Sequence, residues 1–146
     1  MEKLHRHKEL YGMKQFIVLM AVLPIMLIFL MQFTADQVNG EKVAFIQSVV
    51  YAAKEEAKQE GCFTEELKTR IVKEISEGIS IPAECIEVAS DDEVKYRYAK
   101  GEGRLIHYRV SVRLDGVMAG GRFLGISDSE NTVTYVIDSS TASEKI

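Results

Sequence analysis

FIVLMAVLPIMLIFLMQF, at residues 16–33, is a run of 18 residues without a charged side chain. As a helix it would be about 27 Å long at ~1.5 Å per residue, close to the ~30 Å hydrocarbon core of a bilayer. The chain that follows is polar enough to fold in water. The sequence therefore predicts a small domain joined to one N-terminal helix that crosses a membrane.

A cleaved signal peptide is the alternative interpretation of the same run. The apolar part of a signal peptide usually has ~7–15 residues and leads into small residues at a cleavage site. Here the run is longer, and the bulky Phe33 stands where a small residue is expected. We therefore favour an uncleaved anchor.

The charges that flank the run predict its orientation. Residues 1–15 carry four basic and two acidic side chains, the basic ones being Lys3, Arg6, Lys8 and Lys14. In residues 34–53 the only basic side chain is Lys42. Because positive flanks stay in the cytoplasm, residues 1–15 are predicted to be cytoplasmic and the C-terminal part extracytoplasmic.

The remainder of the chain is acidic, with 14 basic and 20 acidic side chains after residue 15. Such a balance disfavours nucleic acid and anionic membrane surfaces as partners. The length after the run suffices for one domain, which we place at residues 34–138. The polar end of the chain, at residues 139–146, is predicted to be a flexible tail.

Two helices are predicted after the run. Residues 43–60 carry an apolar stripe at helical spacing, and Gly61 is expected to end that helix. Asn39-Gly40 either breaks it near the bilayer or lies within one rod from residue 13 to residue 60. The stripe consists of Ile46, Val49, Val50, Ala53 and Ala57.

The second helix is predicted to begin at Thr64 as N-cap and to end near Gly78. The same spacing predicts its buried edge, which consists of Leu67, Ile71, Val72 and Ile75.

From residue 104 the apolar period changes to two, which is typical of a half-buried antiparallel strand. The inward positions would be Ile106, Tyr108, Val110, Val112 and Leu114. Residues 85–89, 94–98 and 132–137 are three further candidate strands, and residues 115–131 are a glycine-rich loop. The predicted fold is α+β: a long N-terminal helix, a second short helix and about four antiparallel strands packed on the helical stripe.

Cys62 and Cys85 flank the second helix in a compartment that permits disulfides. Either they form a bridge, which would add ~3 kcal/mol, or they are two unrelated buried thiols. Two cysteines are too few for a metal site.

No pattern indicates catalysis or a cofactor. His107 falls on the wet face of a strand, far from His5 and His7. The loop glycines lack the context of a phosphate loop, and Asp128 and Glu130 are too sparse for calcium. The sequence therefore predicts no enzyme, no cofactor, no metal site and no small-molecule substrate.

The stretches VLPIMLIFLMQF and AFIQSVVYAAKEEAKQEGCFTEEL, with Pro24 in mid-membrane, resemble the type IV pilin-like superfamily. Within it they are most similar to the minor pilins of tight-adherence (Tad-type, TadE-like) systems, over roughly residues 12–75. The resemblance implies a non-catalytic subunit of a cell-surface filament or secretion apparatus. Its partners would be membrane lipid before assembly, then copies of itself or other pilin-like subunits. The helix-core packing residues would be Pro24, Leu27, Ile28 and Leu30.

Two positions bear on this resemblance. Pilins are cut after a glycine before the apolar run, and Gly12-Met13 is the candidate site here. Pilins usually carry a glutamate five residues into the mature chain, where this chain has Ile17. Pro24 fits either a tolerated kink or a helix covered by neighbours. The alternative function is a monomeric membrane-anchored accessory domain that binds an envelope protein.

Overall fold

The computed structural model describes the backbone of residues 2–146 and the side chains of residues 11–146. The basic side chains predicted to orient the chain lie outside those described, except Lys14. The fold is α+β, as predicted. Its elements are helices α1 (Glu2–Glu60) and α2 (Glu65–Ile79), and strands β1 (Ile86–Ser90), β2 (Leu105–Asp115) and β3 (Thr132–Ala142).

Helix α1 runs without a break through Asn39 and Gly40, so the continuous rod is the correct alternative. It ends where Gly61 adopts a left-handed φ of 81°. The Gly61 N–H still donates to the carbonyl of Ala57, at 2.8 Å. Every residue of the predicted stripe is buried: Ile46, Val49, Val50, Ala53 and Ala57.

Helix α2 begins as predicted, because the Thr64 hydroxyl accepts a hydrogen bond from the Leu67 N–H at 3.2 Å. Its predicted end at Gly78 is wrong. The cap is Ser80, in the left-handed region at φ 56°. Gly78 lies inside the helix, where its missing side chain makes room for the ring of Phe45.

The three strands form one antiparallel sheet in the order β1-β2-β3. Strand β2 is central and pairs with β3 from Leu105↔Ala142 to Asp115↔Thr132. One face of the sheet packs against α1 and α2, and that face carries all the inward positions predicted for β2.

The expected fourth strand, at residues 94–98, is not formed. Its backbone pairs with the residue after α1 and with the C-terminal segment instead of a strand: Lys95 N–H donates to the Gly61 carbonyl, and Arg97 N–H to the Lys145 carbonyl, both at 2.8 Å. The alternating side chains Tyr96 and Tyr98 stack on each other, with centroids 5.5 Å apart. Residues 96–99 form a turn, in which the Ala99 N–H donates to the Tyr96 carbonyl at 3.1 Å, so the alternating tyrosines do not belong to a ladder.

The predicted flexible tail is also wrong for most of its length. The first four of its residues complete β3, opposite the beginning of β2. Beyond the strand, Ser143 N–H donates to the Arg104 carbonyl and Glu144 N–H to the Lys58 carbonyl, each at 2.8 Å. These bonds attach the C-terminus to the beginning of β2 and to the end of α1.

Candidate functional site

The N-terminal half of α1 is the most unusual surface of the molecule. Its 18-residue apolar window is long and apolar enough to cross a membrane, and none of it is buried in the structure. The predicted packing residues Leu27, Ile28 and Leu30 are all exposed. Residues 16–31 of α1 therefore present an apolar cylinder that the domain leaves uncovered.

Pro24 lies inside α1 without ending it. A proline has no N–H, so the carbonyl of Met20, four residues earlier, has no helical donor from it. In hydrocarbon an unpaired carbonyl is costly unless a neighbour covers it.

Gly12 and Met13, the candidate processing site, also lie within α1. A Cβ on Gly12 would meet nothing within 4 Å. No contact of the described residues therefore requires a glycine there, and cleavage at this bond requires the helix to unwind locally.

The β2–β3 hairpin runs along α1 toward its apolar half. Its open end is fixed near Lys58 by the bonds of the C-terminus. From Gln32 to Lys58 the helix rises about 39 Å, and an extended chain from Arg104 to Val117 spans about 43 Å. The closed end of the hairpin therefore arrives at the level of Gln32.

Residues 116–131, which connect β2 to β3 and which we call the hairpin loop, bind α1 at that level. The Ala119 N–H donates to Gln32 Oε1 at 2.9 Å, and Gln32 Nε2 donates to the Val117 carbonyl at 3.4 Å. Gln32 Nε2 also donates to Asp36 Oδ1 at 2.8 Å. Gln32 is the penultimate residue of the uncharged run, so the loop attaches where the apolar surface ends.

The loop is ordered by its own polar side chains. Asn131 bonds both backbone groups of Met118, with its Oδ1 2.7 Å from the N–H nitrogen and its Nδ2 2.9 Å from the carbonyl oxygen. Arg122 forms a two-point ion pair with Asp128, and its Nε lies 3.0 Å from Oδ1. The Arg122 guanidinium lowers the pKa of Asp128, and bonds from Ser127 lower the pKa of Glu130.

The tip of the loop exposes two large apolar side chains. They lie on the 3₁₀ turn Gly121–Leu124, where Phe123 is 88% and Leu124 61% exposed. Neither the exposed tip nor the Gln32 contact was predicted from the sequence. The available signals were a polar side chain in the last turn of an apolar run and a Phe-Leu pair in a glycine-rich loop.

Both cysteines are free thiols in the structure, half-buried for Cys62 and buried for Cys85. They lie at opposite ends of β1, because Gly61 pairs with Lys95 beyond one end and Cys85 precedes the other. Five strand residues span about 17 Å, whereas bridged cysteines need Cα atoms ~4.4–6.8 Å apart. The structure therefore contains two separate thiols and not a Cys62–Cys85 bridge.

The polar residues considered for chemistry remain apart. His107 is exposed on β2, as predicted, and its backbone N–H donates to Asp91 Oδ2 at 3.2 Å. Within residues 11–146, no three His, Cys, Asp or Glu side chains are grouped to hold a metal ion. The loop carboxylates Asp128 and Glu130 bind loop residues instead.

No protein-family model, curated protein or solved structure matches this chain. Its class is therefore defined by fold and surface: an α+β domain carried on one helix that is long and apolar enough to span a membrane.

Proposed function

We propose that this chain is a non-enzymatic, pilin-like structural subunit that assembles through the exposed half of α1. The observation that carries the proposal is the division of one unbroken helix into two halves. Beyond residue 45 its stripe is covered by the sheet and α2, whereas the described part of the chain leaves the apolar run uncovered. Because the helix is continuous, the packing of its apolar half against neighbouring helices would also fix the position of the domain.

The uncovered half has two stable environments, lipid and other helices. Before assembly it spans the cell membrane, with residues 1–15 in the cytoplasm and the domain outside. In an assembly, neighbouring helices cover the carbonyl released by Pro24, and flexible Met side chains such as Met26 fill irregular gaps between them. In that state the domains lie at the cell surface, around a core of packed helices.

A second candidate is a monomeric membrane-anchored accessory domain that binds an envelope protein. Ile17 favours it, because this position lacks the carboxylate that pairs with a neighbour's N-terminal amine in typical pilins. In this case the apolar run contacts lipid only.

The substitution Leu27→Lys distinguishes the two candidates. Leu27 is exposed on the apolar run, so a lysine there does not disturb the fold of the domain. In lipid, lysine at mid-membrane costs roughly 3 kcal/mol and can snorkel, so the chain still inserts. In a packed helical core, an unpaired buried charge costs on the order of several kcal/mol per subunit.

The pilin-like proposal therefore predicts that Leu27→Lys abolishes filaments or oligomers on micrographs and in cross-linking, while the chain remains in the membrane fraction. Leu27→Met is the control for side-chain shape, and Tyr51→Lys controls for an added charge on exposed α1. A wild-type chain that is monomeric in membranes would favour the accessory domain, and unchanged assembly of Leu27→Lys would show that the subunits do not pack through the apolar run.

A further inference from the structure

We propose that the tip of the hairpin loop, Phe123 and Leu124, inserts into the outer face of the same bilayer that holds the apolar run. The inference rests on the proposed membrane-spanning state of α1, but it does not depend on assembly. It assigns the loop a binding surface for lipid acyl chains, next to the helix.

The depth of the loop follows from its contact with α1. Gln32 lies ~11 Å from the middle of the run at 1.5 Å per residue, and half of the hydrocarbon core is ~15 Å. With the run centred in the bilayer, the backbone of residues 117–119 meets α1 about 4 Å inside the outer boundary of the hydrocarbon. A groove between loop and helix continues outward from there, lined by Met31, Thr34, Ala35, Val38 and Gly116 among others.

Backbone N–H groups near the tip are hydrogen-bonded within the loop, which suits a poorly hydrated environment. Unpaired N–H groups are costly in lipid. The N–H groups of Phe123, Gly125 and Ile126 avoid this cost, because they donate to the carbonyls of Gly120, Arg122 and Gly121 at 2.9, 3.3 and 2.9 Å. The adjacent cation Arg122 is paired with Asp128.

The side chains match this environment. Phe123 and Leu124 are adjacent, largely exposed and on a short 3₁₀ turn. Large apolar side chains at the headgroup boundary are favourable because they bury their surface among the acyl chains. The hairpin loop carries one basic and two acidic side chains, so the expected contact is with acyl chains and not with anionic headgroups.

The chain contains no tryptophan, so single substitutions provide unambiguous fluorescent reporters in the full-length protein. Phe123→Trp is the tip reporter. Phe29→Trp, at an exposed site in the apolar run, is the helix reporter. Tyr98→Trp is the water reporter and serves as the matched control, since Tyr98 is 74% exposed and lies near the far end of α1, beside the Arg97–Lys145 bond.

Each variant is reconstituted in phosphatidylcholine vesicles at several protein-to-lipid ratios, with lipids brominated near the headgroup or near the chain end. We expect the helix reporter to be quenched most by chain-end bromine. The tip reporter should be quenched most by bromine near the headgroup, and its emission should lie at shorter wavelength than that of the water reporter. The water reporter should be quenched only by aqueous acrylamide. Quenching of the tip reporter by lipid should not change as the protein is diluted.

Three outcomes would overturn the inference. If the helix reporter is quenched by lipid but the tip reporter only by acrylamide, the loop stays in water although the helix is inserted. If the tip reporter is shielded only at high protein density, its partner is another protein chain. If the helix reporter itself is not quenched by lipid, the membrane-spanning proposal fails, and the inference fails with it.

Discussion

The ring of Phe45 in α1 lies directly against Gly78 in α2, so closely that a Cβ on Gly78 would come within 2.2 Å of two ring carbons. Phe45 precedes the buried stripe of α1 by one residue. The contact therefore fixes the end of α2 to α1 at the point where the helix enters the domain.

Gly78→Ala is expected to destabilise the domain by about 1 kcal/mol. Displacing the ring costs ~1–3 kcal/mol, and the better helix propensity of alanine offsets about 1 kcal/mol of that. In a Phe45→Ala background the clash is absent, so the same substitution should stabilise by about 1 kcal/mol. Denaturant unfolding of the four proteins in detergent measures this coupling, and an identical effect in both backgrounds would contradict the contact.

Gln32→Ala is expected to release the hairpin loop from α1. The loss of a hydrogen bond of about 1 kcal/mol corresponds to roughly fivefold faster hydrogen exchange at the Ala119 amide. Asp36→Ala is the control, because it removes only the bond within the helix and keeps that of Ala119. Equal protection of Ala119 in Gln32→Ala and wild type would show that the contact does not hold the loop.

Acid is expected to loosen the hairpin loop. Arg122 lowers the pKa of Asp128 from an ordinary 3.8, and Ser127 lowers the pKa of Glu130 from an ordinary 4.5. The ionised form of each carboxyl group therefore stabilises the folded hairpin loop. For depressed carboxyl pKa values, that stabilisation is complete well above the ordinary values and is lost as pH falls through the lowered ones. Arg122→Gln should return the pKa of Asp128 toward 3.8 and leave that of Glu130 unchanged. Carboxyl-carbon NMR titration measures both, and an Asp128 midpoint insensitive to Arg122→Gln would refute the pairing.

Thiol chemistry should distinguish the two cysteines. Cys62 is half-buried, whereas Cys85 is buried and its Sγ lies 3.3 Å from Arg113 Nη2. Alkylation of the native protein without reductant should therefore modify Cys62 first, and denaturation should then expose a second thiol. Mass spectrometry counts the adducts, with Cys62→Ser as the control. A denatured, unreduced chain that takes up no alkylating reagent would mean that the cysteines are bridged.

The elements predicted correctly have strong periodicity and a single buried face. The α1 stripe and the alternating inward residues of β2 from Ile106 to Leu114 are buried as predicted, because both face the same core. The N-cap at Thr64 was also predicted correctly, because its hydroxyl bonds the N–H of Leu67 only three residues away. These features depend on residues close together in the chain.

The features that were missed depend on distant partners. Residues 139–142 are small and mostly polar, which is also typical of a flexible chain end, and only their pairing with β2 shows that they complete a strand. Whether residues 94–98 form a ladder depends on Gly61 and Lys145. The contact of Gln32 with Ala119 joins positions 87 residues apart, and no periodicity in the sequence reveals it.

The most direct test of the central claim, that the apolar half of α1 drives assembly, compares the purified full chain with a fragment that begins at Glu41. The fragment retains the entire buried core and should fold. Sedimentation in the same mild detergent should give oligomers or filaments for the full chain and a monomer for the fragment. A fragment that assembles as well as the full chain, or a full chain that stays monomeric at every concentration, would contradict the account.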